Sequence, residues 1–290
     1  MEYIIENESL KVTVTTWGAQ VKSVIRKNGN VEHMWQADPS VWEYHAPILF
    51  PYTSRIRNKK MQAKGEEYDA DIHGFAKDSE HALVCQTENS VVLELCDSAR
   101  TLEVWPYRFR LVSTFVLDGD TLHHTLTVEN PGDEQLQFGI GYHPAFAVPF
   151  DNDHKPTDYV LRFDDLETPF CMRSGETGTF GEVTYFLGMN IRELEVNDQL
   201  FADGSHCMVG LQSRTLGLYE KDTGRGVVCS IKGFPYTLIW SEPGEPKFVC
   251  IEPWQTIPCP QVTQWEKRPA AAILSPGESW STTLSTAFVE

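Results

Sequence analysis

Two adjacent stretches, residues 108–117 (RFRLVSTFVL) and 121–129 (TLHHTLTVE), decide the fold class of this 290-residue chain. Both are short and rich in Val, Leu, Phe and Thr, a composition typical of β-strands. The residues between them, Asp118-Gly119-Asp120, are turn formers. This part of the chain therefore predicts two consecutive strands.

Similar signals recur on both sides of this pair. Residues 3–26 alternate apolar and polar side chains, with breaks at Asn7-Glu8 and Trp17-Gly18, and Lys27-Asn28-Gly29-Asn30 is expected to close a hairpin. Helical periodicity beyond two turns is hard to find. We therefore predict an all-β protein, a large antiparallel β-sandwich, with a single domain over residues 1–290. Further strands are predicted at 90–96, 159–163, 226–231, 237–240, 247–251 and 279–288.

The charge balance argues against several classes of partner. The chain has 24 basic and 41 acidic residues, a formal net charge of −17, which repels phosphate backbones and anionic membrane surfaces. No apolar run approaches the length of a membrane span, and the first residues lack the pattern of a secretory signal. We expect a cytoplasmic protein that binds neither nucleic acid nor membrane.

The cysteines do not form a recognisable metal or disulfide pattern. The seven are scattered and odd in number, without a CxxC pair, which fits reduced thiols in a cytoplasm. Cys250 and Cys259 flank Glu252, but two thiols without other soft ligands make a weak zinc site. We expect them to be small buried side chains. A nucleophilic Cys250 remains an alternative, although no paired His is positioned by the sequence to activate it.

Segment 138–146 (FGIGYHPAF) is a candidate ligand site. In a strand, Gly139, Gly141 and His143 share one face, and the two missing side chains are expected to leave room for a ligand beside the imidazole. The alternative is a His whose ring is satisfied by a backbone carbonyl near a turn. A second segment, 71–76 (DIHGFA), places His73 in a similar setting.

Segment 247–254 (KFVCIEPW) places an acid in an apolar row. Phe248, Cys250 and Glu252 share a face in strand geometry, and partial burial of a carboxyl raises its pKa toward the range useful in proton transfer. Glu252 is therefore a candidate catalytic base. Alternatively the strand has ended, and Glu252 points to solvent before Pro253.

Segment 47–58 (PILFPYTSRIRN) carries Arg55 and Arg57, which would share a face in a strand. A guanidinium there can donate forked hydrogen bonds to sugar hydroxyls or pair with a carboxylate. Two surface arginines that balance the acidic excess are the alternative, and for Arg57 that interpretation is favoured.

Four motifs together resemble a known family. Phe50-Pro51 with Ser54-Arg55-Ile56, then His73-Gly74-Phe75, then 141–146 (GYHPAF) and 250–254 (CIEPW) follow the order and spacing of the galactose mutarotase-like superfamily. They are most similar to its bacterial aldose 1-epimerase-like branch, of the kind encoded near lactose genes. The resemblance spans nearly the whole chain. It implies the galactose mutarotase-like supersandwich fold and the interconversion of the α and β anomers of an aldohexose.

The resemblance also implies roles for individual residues. Glu252 matches the catalytic base, His143 the catalytic acid, and His73 a second His near the ring oxygen of the sugar. Arg55 matches an arginine that binds sugar hydroxyls, and Asp203 is the nearest candidate for a substrate-binding aspartate. A nearby Glu252 is expected to raise the affinity of His143 for its proton.

Further expectations concern the ligand and the assembly. Phe75, Phe146 and Trp254 are expected to present flat apolar faces to a pyranose. The partner is a small-molecule sugar, and no cofactor or metal is expected. The protein is expected to be a monomer or a homodimer.

Two other functions remain open. A mutarotase of a hexose phosphate would require a basic cluster, for which Arg55 and Arg57 are the clear candidates beside a motif. A non-catalytic carbohydrate-binding or sensing domain would keep the pocket without turnover. The presence of His73, His143 and Glu252 together argues against binding alone, since binding does not require both an acid and a base.

Overall fold

The computed structural model describes residues 1–174, 180–257 and 262–290, without the side chain of Ser174. Cys259 lies outside these residues. The strands are β1 (Glu2–Glu6), β2 (Leu10–Thr15), β3 (Gln20–Arg26), β4 (Val31–Glu32), β5 (Ile48–Leu49), β6 (Lys60–Ala63), β7 (Glu66–Asp69), β8 (Ala82–Gln86), β9 (Ser90–Cys96), β10 (Arg110–Asp118), β11 (Thr121–Glu129), β12 (Leu136–Phe138), β13 (Gly141–Tyr142), β14 (Ala145–Ala147), β15 (Tyr159–Glu167), β16 (Phe170–Ser174), β17 (Phe180–Phe186), β18 (Ile191–Glu195), β19 (His206–Val209), β20 (Thr215–Glu220), β21 (Gly226–Ser230), β22 (Tyr236–Trp240), β23 (Phe248–Trp254), β24 (Ala272–Leu274) and β25 (Ser279–Val289).

Helical structure is scarce in the described part of the chain. It consists there of α1 (Ala99–Leu102) and short 3-10 turns at Arg57–Lys59, Ala76–Asp78, Pro156–Asp158 and Trp265–Lys267. Within the described residues, no helix has the length and apolar character needed to span a membrane.

Two large antiparallel sheets carry the architecture. Sheet I has the order β18-β15-β20-β21-β25-β11-β10-β9-β8, and sheet II has the order β17-β16-β19-β22-β23-β13-β5, with β14 also paired to β23. Strands β1 to β4 form a third, smaller sheet, and β6-β7 and β12-β24 are isolated pairs. The all-β antiparallel prediction is confirmed.

The predicted strands lie close to the observed ones. Residues 90–96 and 121–129 coincide with β9 and β11, and Asp118 pairs with Thr121, so Gly119-Asp120 is the two-residue loop of the hairpin. The strand predicted at 247–251 was too short, because β23 continues to Trp254. Its continuation places Glu252 inside the sheet.

One hydrophobic core joins the two sheets. Phe115 and Leu126 of sheet I belong to the same buried cluster as Val249 and Ile251 of sheet II. This cluster draws on residues from Ile5 to Phe288. A single domain over residues 1–290 stays a prediction, which this shared core supports.

A tyrosine of sheet II bonds to the backbone of sheet I. Tyr142 on β13 is buried, and its hydroxyl lies 2.8 Å from the carbonyl oxygens of both His124 on β11 and Thr282 on β25. Because one hydroxyl proton serves two acceptors, the contact ties two neighbouring strands of sheet I to sheet II.

Tyr142→Phe removes this tie and leaves two main-chain carbonyls without their hydroxyl partner. We expect the variant to lose about 1–3 kcal/mol in the free energy of unfolding, measured by urea denaturation. Tyr68→Phe is the matched control, because the hydroxyl of Tyr68 has no hydrogen bond within the described residues. It should change stability by less than about 0.5 kcal/mol. Equal losses in the two variants would contradict a specific role for Tyr142.

Candidate active site

A cleft of about 660 Å³ lies against sheet II and contains most of the predicted site residues. This volume is in the range typical of small-molecule sites. The cleft is lined by Trp42, Glu43, Tyr44, Pro47, Ser54, Arg55, Asp71, Ile72, His73, Lys77, Asp78, His143, Arg173, Phe180, Asp203, Gly204, Ser205, Leu238, Trp240, Glu242, Glu252 and Trp254.

Glu252 is a buried carboxyl in the middle of sheet II. It lies within β23, opposite Leu238 of β22, and is 1% exposed. The alternative in which Glu252 points to solvent is therefore wrong. Burial raises the pKa of Glu252 well above its ordinary value, because the charged form loses its hydration.

His143 reaches Glu252 because the two segments beside it pair with the same strand. β13 and β14, on either side of His143, both pair with β23. His143 Nε2 lies 3.3 Å from Glu252 Oε2. Trp42 stacks on the imidazole, with 5.1 Å between ring centroids. His143 Nδ1 is buried and has no hydrogen-bond partner among the described residues, so the alternative of a carbonyl-satisfied ring is not observed.

The electrostatics of this pair differ from the expectation. Burial lowers the pKa of His143 to about 3, so the net shift is opposite to the expected rise, while the influence of Glu252 on the proton affinity of His143 stays a prediction. Desolvation disfavours the charged form of each group. It therefore favours the protonated, uncharged carboxyl of Glu252 and the neutral imidazole of His143.

Gly139 and Gly141, in the segment that carries His143, allow neighbouring side chains to pack closely against the backbone. A Cβ at Gly141 would lie 2.6 Å from Trp254 Cδ1, and one at Gly139 would lie 2.7 Å from Thr256 Oγ1. The expectation that they leave room for a ligand is wrong. The space that they free is occupied by side chains of the protein itself.

His73 lies in a loop and faces His143 edge-on. Its Nδ1 accepts a hydrogen bond from the backbone N–H of Ser54 at 3.0 Å, so the neutral ring carries its proton on Nε2. The ring centroid is 5.5 Å from that of His143. Burial, reinforced by His143 and by the cations Lys77 and Arg55, lowers the pKa of His73 well below its ordinary value. His73 is thus a neutral hydrogen-bond donor.

Gly74 allows the His73 loop to approach the backbone of Phe50. The backbone N–H groups of Phe75 and Ala76 both donate to the Phe50 carbonyl oxygen. A Cβ at Gly74 would lie 2.2 Å from that oxygen, and the φ of Gly74 is +73°. Only glycine fits here without displacing the backbone.

The two arginines are separated by the fold. Arg55 is exposed and lines the cleft, whereas Arg57 is exposed in the 3-10 turn Arg57–Lys59 and does not line it. Their predicted position on one strand face is wrong, because Ser54 has a φ of +61° and the segment is not extended.

The aromatic residues of the cleft differ from those expected. Phe75 packs against Phe50, Trp105 and Phe109, outside the cleft lining. Phe146 is buried in the core. Their expected contact with a pyranose is not supported by these positions. Trp254 does line the cleft, together with Trp42 and Trp240, which the sequence analysis missed because a lone Trp gives no sign of its role.

Asp203 lines the cleft beside Arg173, a residue of sheet II. It accepts a hydrogen bond from Arg173 Nη1 at 2.5 Å, and this bond lowers the pKa of Asp203. Arg173 lies on β16 and was not predicted as a site residue. No motif marks it, since its position depends on pairing with distant strands.

Cys250 completes a cluster beneath the cleft. A ligand atom of each of His143, Cys250 and Glu252 lies within 4.8 Å of the other two, and all three residues are buried. The expectation of a buried Cys250 is confirmed. Burial, followed by the nearby Glu252 and Glu242, raises the pKa of the Cys250 thiol well above its ordinary value.

Comparison with known proteins agrees with this geometry. The family model of aldose 1-epimerase matches residues 1–286. The chain belongs to the aldose 1-epimerase family. It is 32% identical to the plasmid-encoded protein LacX of Lactococcus lactis subsp. lactis over 259 residues, which cover 86% of each chain. The predicted resemblance is confirmed, and this member of the aldose 1-epimerase family is an isomerase that acts on carbohydrates.

Solved structures show the same fold. The galactose mutarotase related enzyme from Lactobacillus acidophilus matches with a TM-score of 0.94 and 27% identity, covering 100% of this aldose 1-epimerase family member and 98% of that chain. A galactose mutarotase-like protein from Lactobacillus casei ATCC 334 matches with a TM-score of 0.89 and 25% identity, covering 99% of each chain. The galactose mutarotase-like fold prediction is confirmed.

Gly74→Ala tests the close approach that places His73. The matched control is Gly65→Ala, because Gly65 also has a positive φ, +81°, but nothing lies within 4 Å of the point that a Cβ would occupy there. We expect Gly65→Ala to cost about 1 kcal/mol of unfolding free energy through backbone strain. Gly74→Ala should cost about 1–3 kcal/mol more, because the Phe50 backbone must move. Equal costs in urea denaturation would contradict the steric argument.

Proposed function

We propose that this protein is an aldose 1-epimerase that interconverts the anomers of a neutral aldohexose through Glu252 and His143. The observation that carries the proposal is the carboxyl–imidazole pair, 3.3 Å apart, buried, and facing a cleft of sugar size. Mutarotation requires one group that accepts a proton from O1 and one that donates a proton to the ring oxygen O5.

The reaction needs the ionic arrangement of the pair, with Glu252 as carboxylate and His143 as imidazolium. Glu252 takes the proton of the anomeric hydroxyl, C1 and O1 form a carbonyl, and the C1–O5 bond breaks as His143 gives its proton to O5. After rotation about C1–C2, O5 attacks C1 from the other side. O5 returns its proton to His143, and O1 takes one from Glu252.

A bound sugar can stabilise the charged form of Glu252, which burial disfavours in the free protein. Burial favours the uncharged pair in the free cleft, so the ion pair requires a proton to pass from Glu252 Oε2 to His143 Nε2, two atoms that lie 3.3 Å apart. Sugar hydroxyls that donate to the Glu252 carboxylate favour its charged form. We propose that His73 donates from Nε2 to the ring oxygen, since its Nδ1 is already occupied by Ser54.

The walls of the cleft suggest how a pyranose is held. Trp42, Trp240 and Trp254 offer aromatic faces to its C–H surface. We propose that Arg55 and Asp203, on different parts of the wall, bind its hydroxyl groups. Arg55 is free to do so, because it has no ion-pair partner among the described residues.

The charges of the cleft favour a neutral sugar over a hexose phosphate. Among the described residues that line the cleft, two of the three Lys and Arg side chains are engaged, since Lys77 is paired with Asp78 and Arg173 with Asp203. A phosphate needs several unpaired donors. The cleft also holds carboxylates that are not paired with these cations and repel an anion: Glu43, Asp71 and Glu242.

Glu252→Gln tests the base. The wild-type protein should accelerate the relaxation of optical rotation of freshly dissolved α-glucose or α-galactose. The amide cannot accept the O1 proton, so the catalysed rate should fall by about 10²–10⁴-fold. Glu245→Gln is the control, because Glu245 is exposed and unpaired in the described part of the chain. Unchanged activity in a folded Glu252→Gln variant would refute the assignment. If the wild-type protein accelerates the relaxation of neither sugar, the protein has either a binding role or another substrate.

The charge argument predicts a preference between sugars. Anomer exchange of glucose and of glucose 6-phosphate at equilibrium can be compared by two-dimensional exchange NMR on the anomeric protons. We expect kcat/KM for the phosphate to be at least about tenfold lower, which corresponds to about 1.4 kcal/mol of unfavourable electrostatics. A higher value for glucose 6-phosphate would overturn the neutral-substrate proposal and favour the hexose-phosphate mutarotase.

A further inference from the structure

Cys250 has no part in the proton-transfer scheme, although it lies beside both groups that do. Cys250 and Glu252 are two residues apart on β23 and therefore share a face, and His143 comes from the adjoining segment. One ligand atom from each lies within 4.8 Å of the other two. Thiolate, imidazole and carboxylate are the side-chain ligands of Zn²⁺ in proteins.

The distances suit a tetrahedral ion. Nitrogen and oxygen ligands about 2.0–2.1 Å from zinc lie about 3.3–3.4 Å apart in a tetrahedron. The observed separation of His143 Nε2 and Glu252 Oε2 is 3.3 Å. The sulphur of Cys250 needs to lie about 3.5 Å from each ligand atom, and it lies within 4.8 Å of one ring nitrogen of His143 and one carboxylate oxygen of Glu252.

Charge and access also favour a cation. One thiolate and one carboxylate balance a divalent ion, so the complex is neutral and can be buried at low electrostatic cost. His143 and Glu252 line the cleft, whereas Cys250 lies behind them. An ion can therefore enter from the cleft and keep a water as its fourth ligand on that side. The cleft carboxylate Glu242, which also acts on the Cys250 thiol, attracts the ion there.

We propose that His143, Cys250 and Glu252 form an inhibitory site for a thiophilic divalent cation such as Zn²⁺. Binding displaces two protons, the thiol proton of Cys250 and the one shared by His143 and Glu252. The bound ion occupies the nitrogen and oxygen that would transfer protons, so it blocks turnover. The inhibition rests on the proposed function, whereas the binding does not.

The site is weaker than a resident zinc centre. A metal-bound imidazole is usually oriented by a hydrogen bond from its second nitrogen. His143 Nδ1 has no such partner among the described residues. Loss of that bond typically lowers affinity by about 10–100-fold. We therefore expect binding that a chelator reverses.

Co²⁺ titration tests binding by absorbance, independently of activity. The exposed Cys85 and Cys96 are first replaced by serine, together with Cys259. In this background we expect a thiolate-to-cobalt charge-transfer band and tetrahedral d–d bands, both abolished by excess Zn²⁺. Cys250→Ser, or Cys250→Ala if the serine variant does not fold, should lose the charge-transfer band. Cys207→Ser is the matched control, since Cys207 is also buried in sheet II, and it should keep the band.

The outcomes separate the two proposals. No charge-transfer band in the folded background protein, or an equal band after replacement of Cys250, would overturn the metal site. If the protein catalyses mutarotation, Zn²⁺ should slow the reaction. The Cys250 variant should need at least about tenfold more Zn²⁺ for half inhibition of its own rate. This factor corresponds to a loss of about 1.4 kcal/mol in binding free energy. Equal sensitivity would also overturn the proposal. Cobalt binding without mutarotation would support the site while the proposed function fails.

Discussion

The contact between Glu252 and His143 is the interaction on which the site depends. A carboxyl placed inside β23, a strand with every residue buried, is costly unless another polar group shares its proton. His143 provides that group because β13 and β14 both pair with β23. The same burial that makes the pair costly raises the pKa of Glu252 and lowers that of His143, which favours the uncharged form of each.

Sheet II has two buried faces with different roles. Val249 and Ile251 point into the core shared with sheet I, whereas Phe248 and Cys250 belong to a separate cluster on the opposite face. Successive side chains in a strand point to opposite faces. Core residues and candidate site residues therefore alternate along β23. Because Val249 and Ile251 are packed in the core, the backbone that carries Cys250 and Glu252 is held in place as well.

The rest of the cleft comes from loops and edges that this sheet supports. The His73 loop is held by the backbone of Phe50, and the wall at Asp203 is held by its bond to Arg173 on β16. Residues on loops above a rigid sheet can vary without disturbing the carboxyl–imidazole pair. The scaffold holds the carboxyl and imidazole together, whereas the proposed choice of sugar or ion depends on the paired charges of the cleft and on the thiol beneath it.

The sequence alone determined the all-β class, the positions of several strands and the family, because these follow from local composition, a period of two, and motif order; it left the direction of Glu252 open between the sheet and solvent. Only the tertiary structure decided that Phe75 packs in the core, that the space at Gly139 and Gly141 is filled by Thr256 and Trp254, and that Trp42 and Arg173 border the cleft. It also reversed the expected pKa shift of His143. These properties depend on contacts between segments far apart in the chain. Desolvation depends on everything that surrounds a group, and no local sequence pattern encodes those surroundings.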